Sequence, residues 1–241
     1  MVDRRVTGEP LQYVIGAWSF RGLDLLVDKR VLIPRPETEM VVEVALEEAE
    51  RLGLKRAPRR HLTVVEPERT AVVVDLGTGS GAIAIALEAE LPDTEVWATD
   101  ASEEALAVAR ANVAGCAAAR VRIGQAGSWF DALPSDLRGD IRMIVSNPPY
   151  VAEHEVASLP EEVADYEPRA ALVAGARGTE ALDAVLAGAR SWLAGGGSVV
   201  LELAPHQSAE MAERARTLGY TETLVRNDLA GRARVLVART G

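Results

Sequence analysis

From residue 71 onward, short apolar, β-branched runs alternate with longer segments whose apolar residues recur at helical spacing. The runs predict strands over 71–76, 95–99, 120–124, 141–146, 197–203, 221–225 and 233–239. The longer segments predict helices near 81–90, 102–113, 179–193 and 206–218. Strand alternating with helix argues for a parallel sheet covered on both faces. The last two strands are separated only by Asn227-Asp228-Leu229-Ala230-Gly231 and predict an antiparallel hairpin. Ahead of residue 71 the pattern is different. Residues 1–16 read as irregular around the breaker Gly8-Glu9-Pro10, and Ala17–Arg21 and Leu23–Val27 flank Gly22 as a short hairpin. Pro34-Arg35-Pro36 holds the chain extended, and Glu37 and Glu39 favour the start of a helix carrying Met40, Val41, Val44, Ala45 and Leu52, ending near Gly53. The expected organisation is an N-terminal hairpin and helix over 1–54 and a surface linker over 55–70, which holds Arg56, Arg59 and Arg60. A catalytic domain over 71–241 follows.

Composition narrows the class. A hydrophobic content of 48% and a charged content of 26% are those of a globular protein that needs no staple to hold its core. The single cysteine, Cys116, rules out an internal disulfide and fits a reducing, cytoplasmic setting; it reads as a small buried thiol, not a nucleophile. His61, His154 and His206 show no metal-ligand spacing, so no metal site is expected. A net charge of −10 argues against a general nucleic-acid binder and is compatible with a basic partner protein. No apolar run is long enough to span a membrane.

Three stretches carry candidate chemistry. Val73-Val74-Asp75-Leu76-Gly77-Thr78-Gly79-Ser80-Gly81 is a strand entering a glycine-rich turn and then a helix, which allows a ligand to approach the backbone closely. Gly77, Gly79 and Ala82 also satisfy a loose dinucleotide fingerprint, so the turn alone does not choose a cofactor. Asp100 ends the next strand and can accept from two ribose hydroxyls; its competing role is a helix N-cap, which Ser102 can fill instead. In Gly127-Ser128-Trp129-Phe130, Trp129 is the candidate to face an adenine ring, while Phe130 reads more readily as core. The third stretch is Ser146-Asn147-Pro148-Pro149-Tyr150 at the end of the fourth strand, where ligands of open α/β sheets sit. Two prolines stop the strand and leave carbonyls without ladder partners. The Asn147 amide then stands at a rigid tip, suited to hold a planar –NH2 group whose face Tyr150 can cover.

Asn147-Pro148-Pro149-Tyr150 together with the Asp75–Gly81 turn resembles methyltransferases that act on amide or exocyclic amino nitrogens. Gly8–Gly16, Phe20 and Val31–Glu39 upstream resemble the narrower family of protein N5-glutamine methyltransferases of the peptide-chain release factor type. Glu167-Pro168, Ala171-Leu172, Gly195-Gly196-Gly197, Asp228-Leu229-Ala230-Gly231 and Arg234 extend the similarity over nearly the whole chain. The resemblance implies a class I methyltransferase sheet, S-adenosyl-L-methionine as cofactor and a release factor as protein substrate, with a monomer expected. By the same resemblance Gly77, Thr78, Gly79, Ser80, Gly81, Asp100, Trp129 and Asn147 bind cofactor. Asn147, Pro148, Pro149, Tyr150 and Phe20 receive substrate, and Asn147, Pro148 and Tyr150 form the catalytic set. The family carries a helical N-terminal domain ahead of the Gly8 region that this sequence does not show. Ser128 stands where an acidic residue is common, and Glu202-Leu203-Ala204 replaces Glu-Ile-Gly. The competing classes are a small-molecule N-methyltransferase, an adenine methyltransferase of nucleic acids, a nicotinamide-dependent oxidoreductase and a non-catalytic binding module. The acidic charge opposes the second, and the Pro-Pro tip opposes the last two.

Overall fold

The computed structural model describes residues 1–57 and 71–241, so most of the expected linker lies outside the described residues. Two one-turn helices open the chain, α1 (Val2–Val6) and α2 (Leu11–Ile15), where irregular backbone was expected. Pro10 presets the entry to α2 and Gly16, at φ 79°, ends it. Five residues are too few for an apolar periodicity to show in sequence. The expected hairpin forms from β1 (Ala17–Phe20) and β2 (Leu23–Leu26), joined by Arg21-Gly22. Both turn residues have positive φ, 47° and 71°, as a two-residue turn matched to strand twist requires. Helix α3 (Pro36–Arg51) begins on a proline, carries Glu37 and Glu39 in its first turn, and buries Val41, Val42, Ala45, Leu46 and Ala49.

The remaining elements follow in order: β3 (Ala71–Leu76), α4 (Ala82–Glu90), β4 (Thr94–Thr99), α5 (Glu103–Gly115), β5 (Val121–Ile123) and β6 (Ile141–Ser146). Then come β7 (Val151–Ala152), α6 (Glu161–Tyr166), α7 (Arg169–Leu172), β8 (Val173–Gly175), α8 (Glu180–Ala189), β9 (Leu193–Glu202), α9 (Ser208–Thr217), β10 (Glu222–Asn227) and β11 (Ala233–Arg239). Among the described residues β10-β11-β9-β6-β3-β4-β5 form a seven-stranded sheet. β9, β6, β3, β4 and β5 run parallel, and β11 and β10 close the edge antiparallel. The chain leaves β3 toward β4 and β5, then crosses back to β6. The carboxyl ends of β3 and β6 therefore flank the topological switch point, where a crevice opens in such sheets. The small parallel pair β7–β8 was not anticipated; strands of two and three residues leave no readable alternation.

Side-chain alternation divides the core between the two faces. Val72, Val74, Leu76, Ile144, Val199, Leu201 and Leu236 face α8 and α9. Val73, Met143, Val145, Val200, Val235 and Val237 face the other way, and there the same cluster takes in α4 together with Phe20, Leu25, Val41, Val42 and Leu46. The N-terminal extension thus shares a core with the sheet and packs as one of its layers.

Candidate active site

The glycine turn is held by its own neighbours. Gly77, Gly79 and Gly81 all have positive φ, 71°, 55° and 85°, a conformation costly for residues with a Cβ. Asp75, fully buried at the end of β3, accepts from Thr78 Oγ1 at 2.6 Å and from Ala84 N at 3.1 Å through one carboxylate oxygen. Its other oxygen has no partner among the described residues, and burial pushes its pKa up to about 7. Thr78 N donates to Thr99 O at 2.8 Å, which ties the turn to the end of β4. Asn112 of α5, itself buried, donates to Ser80 O at 2.8 Å and to Leu26 O at 3.0 Å and accepts from Leu26 N at 2.7 Å. One amide therefore joins the turn to the N-terminal hairpin. Nothing in the local sequence marked it.

Asp100 lies beside the turn. It accepts from Gly79 N and Ser102 N, both at 2.9 Å, while Ser102 Oγ caps α5 through Ala105 N at 3.2 Å. The cap role thus falls to Ser102. A carboxylate offers about four acceptor sites, so two backbone bonds leave Asp100 capacity for hydroxyls. Its burial raises its pKa. Trp129 has φ 45°, rare for a bulky residue. A Cβ placed on Gly77 would lie 3.8 Å from Trp129 Cζ3, and one on Gly79 would meet nothing within 4 Å. The space over Gly79, a carboxylate at the next strand end and an indole edge by Gly77 together fit a nucleoside. Phe130 instead stacks on Trp192, centroids 5.8 Å apart, in the core.

The strand tip is held from far away. Ser146 Oγ donates to Leu76 O at 2.6 Å, fastening the end of β6 to the end of β3. Asn147 is half-buried, and its Nδ2 donates to Thr38 Oγ1 at 3.2 Å. Thr38 Oγ1 donates to Glu202 Oε2 at 2.8 Å, and Tyr150 OH donates to Glu202 Oε1 at 3.2 Å. Glu202, the last residue of β9, is 1% exposed. Burial raises its pKa, and the charge of Arg234 acts in the opposite sense. Burial, with Glu202 beside it, also drives the Tyr150 hydroxyl up, so it stays protonated. Buried Gln207 braces the tip by donating to Tyr150 O at 2.9 Å and Gly178 O at 3.0 Å and accepting from Ala204 N at 3.0 Å. Neither Asn147 Oδ1 nor the Pro148 carbonyl receives a hydrogen bond from the described residues. Sequence reasoning assigned no role to Thr38, Glu202 or Gln207; Glu202 stood out only as part of a family-like tripeptide.

One expectation is corrected. Phe20 is 1% exposed in the core cluster with Leu25, Val41 and Ala45, so it is core and is not placed to receive substrate. Along β1 only Phe20 turns fully inward, and an aromatic there is worth more buried than lining a cleft. Arg35 pairs with Glu167, whose side chain is 1% exposed, while Glu39 accepts from Arg21 N at 2.7 Å. Cys116 is half-buried with its thiol pKa raised by burial, which disfavours the thiolate a nucleophile needs. Among the described residues no group of three His, Cys, Asp or Glu is arranged to hold a metal, and no helix is long and apolar enough to cross a membrane.

The sheet order is that of a class I methyltransferase, the class that uses S-adenosyl-L-methionine as methyl donor, and the comparisons agree. Residues 56–164 match the family model "Methyltransferase small domain". A methyltransferase from Pyrococcus furiosus shares the fold, with TM-score 0.60 and 19% identity, covering 100% of this chain and 98% of that one. The N-terminal domain of human METTL16, solved in complex with SAH, gives TM-score 0.60 at 17% identity over 91% of this chain and 76% of that one. A "Release factor glutamine methyltransferase" of Coxiella burnetii is 38% identical over 240 residues, covering 100% of this chain and 78% of the relative. The chain belongs to the release factor glutamine methyltransferase family.

Proposed function

We propose that this protein transfers the methyl group of S-adenosyl-L-methionine to the side-chain amide nitrogen of a glutamine, in the Gly-Gly-Gln motif of a peptide chain release factor. Its family membership supports the substrate, and one structural observation carries the chemistry. Asn147 Oδ1 and the Pro148 carbonyl are two acceptors at a rigid strand tip, beside the glycine turn, with no donors among the described residues. Two such acceptors match the two N–H bonds of a primary amide.

S-adenosyl-L-methionine supplies an electrophilic methyl on a sulfonium. In this reading Gly77, Thr78, Gly79, Ser80 and Gly81 would present backbone to it, Asp100 would accept from its ribose and Trp129 would cover its adenine. Asn147 and Pro148 would hold the substrate –NH2 by its two hydrogens and so orient its nitrogen for methyl transfer. They also stabilise the positive charge that develops on that nitrogen, which an amide otherwise resists because its lone pair is delocalised. Pro149 and Tyr150 wall the acceptor side. The amide proton leaves once nitrogen carries the methyl, so no base is required beforehand. Residues 1–54 form the substrate-side layer, and the reading carries with it a monomeric, cytoplasmic enzyme. The test is incubation with a release factor and labelled S-adenosyl-L-methionine. Label should enter the wild-type factor and be absent from a factor whose motif glutamine is changed to alanine; equal labelling of both would refute the substrate.

A further inference from the structure

We infer that Thr38 and Glu202 form a positioning relay that dictates which end of the Asn147 side-chain amide faces the acceptor. The inference rests on the proposed role of Asn147 and deepens it. An asparagine amide has nearly the same shape either way round, yet the two orientations are opposite in chemistry. With Oδ1 outward it accepts from a substrate –NH2; with Nδ2 outward it sets donors against donors. Something must choose, and proton bookkeeping along the relay does so.

An ionised carboxylate can only accept. Glu202 Oε2 takes the one hydroxyl hydrogen of Thr38 at 2.8 Å. Once that hydrogen is committed, Thr38 Oγ1 can only accept from its other neighbour. Its other neighbour is Asn147 at 3.2 Å, which must therefore turn its –NH2 toward Thr38 and its oxygen toward the crevice. Tyr150 OH occupies the second Glu202 oxygen at 3.2 Å, so both carboxylate oxygens are filled by donors. Burial and the charge of Glu37 oppose the ionised form; the hydroxyls of Thr38 and Tyr150, each donating to one carboxylate oxygen, and the charge of Arg234 favour it. The relay spans 109 residues from Thr38 to Asn147 and 164 from Thr38 to Glu202. It also gives the segment before α3 a task. The Pro34-Arg35-Pro36 run, anchored through Arg35 to buried Glu167, delivers Thr38 behind the strand tip. Thr38 and Glu202 touch no reacting atom in this account; they act through Asn147.

The test compares Thr38→Val, which keeps the shape and removes the hydroxyl, with Thr38→Ser, which restores it, and adds Glu202→Gln and Asn147→Ala. Methyl transfer is measured with the release factor and S-adenosylhomocysteine affinity by calorimetry. A further readout is the ratio of affinities for two peptides, one bearing Gly-Gly-Gln and one Gly-Gly-Glu. For Thr38→Val, kcat/KM is expected to fall roughly a hundredfold, with cofactor affinity kept. Thr38→Ser should recover most of that loss. A released Asn147 can turn its –NH2 to a carboxylate, so the preference for the glutamine peptide should shrink about tenfold in Thr38→Val and hold in Thr38→Ser. Glu202→Gln, which can no longer fill both donors, should follow Thr38→Val and stands in for it if that variant fails to fold. Unchanged kcat/KM and peptide preference in Thr38→Val, or equal losses in Val and Ser, would overturn the relay. A fully active Asn147→Ala would instead remove the role of Asn147 itself, so the two failures are distinguishable.

Discussion

The glycine turn and the Asn147 tip lie side by side at the carboxyl ends of the central strands β3 and β6, yet they are held in contrasting ways. The turn is fastened mostly from nearby, by contacts 3, 9 and 21 residues away through Thr78, Ala84 and Asp100, with the Asn112 amide, 32 residues from Ser80, as its one longer tie. The tip depends on Thr38, Glu202 and Gln207, with Gln207 57 residues from Tyr150 and Thr38 109 residues from Asn147. A site built from adjacent residues can be inherited as a block. One built from three distant elements exists only when the whole sheet and its N-terminal layer are assembled. In the proposed function the contrast separates cofactor binding, assigned to the turn, from acceptor orientation, assigned to the tip.

Substitutions that strike one region alone sharpen that separation. Asn147→Ala should lower turnover by roughly a thousandfold while S-adenosylhomocysteine still binds, as calorimetry and a methyl-transfer assay would show. A parallel loss of cofactor affinity would merge the two regions. Asp100→Ala should do the reverse, weakening cofactor binding by roughly 10- to 100-fold while kcat at saturating cofactor changes little. Asn112 bridges the turn and the N-terminal hairpin through three hydrogen bonds. Its replacement by alanine should cost about 3 kcal/mol, on the order of 10 °C in Tm, read by thermal unfolding.

The smallest effect concerns the turn's buried carboxylate. Asp75 holds its proton more tightly when folded, with a pKa near about 7, than when unfolded. A raised acid pKa contributes stability that is complete below the unfolded value and is lost as pH climbs to about 7. Asp75→Asn removes the titration and keeps an oxygen for Thr78 and Ala84. Its stability relative to wild type should therefore rise by roughly 2–3 kcal/mol between pH 5 and pH 8, and a pH-independent difference would place the proton elsewhere.

The same contrast explains what could be read in advance. β3, β6 and β11 fall on the expected residues because buried, β-branched runs mark themselves. The glycine turn, Asp100 and the Asn147 tetrapeptide were visible because each is contiguous or ends a strand. Thr38, Asn112, Glu202 and Gln207 were not, since a polar residue shows its purpose only when the chain brings its partner near. Phe20 was misplaced for a related reason. Its substrate role came from resemblance alone, and only the pairing of β1 with β2 over α3 shows that it turns inward.

The most direct test of the account is fragment mass spectrometry of the Gly-Gly-Gln peptide from a release factor treated with this protein and S-adenosyl-L-methionine. One added methyl on the glutamine side-chain nitrogen is the predicted result. A methyl on another residue, or an unmodified peptide from an enzyme that still binds cofactor, would contradict it.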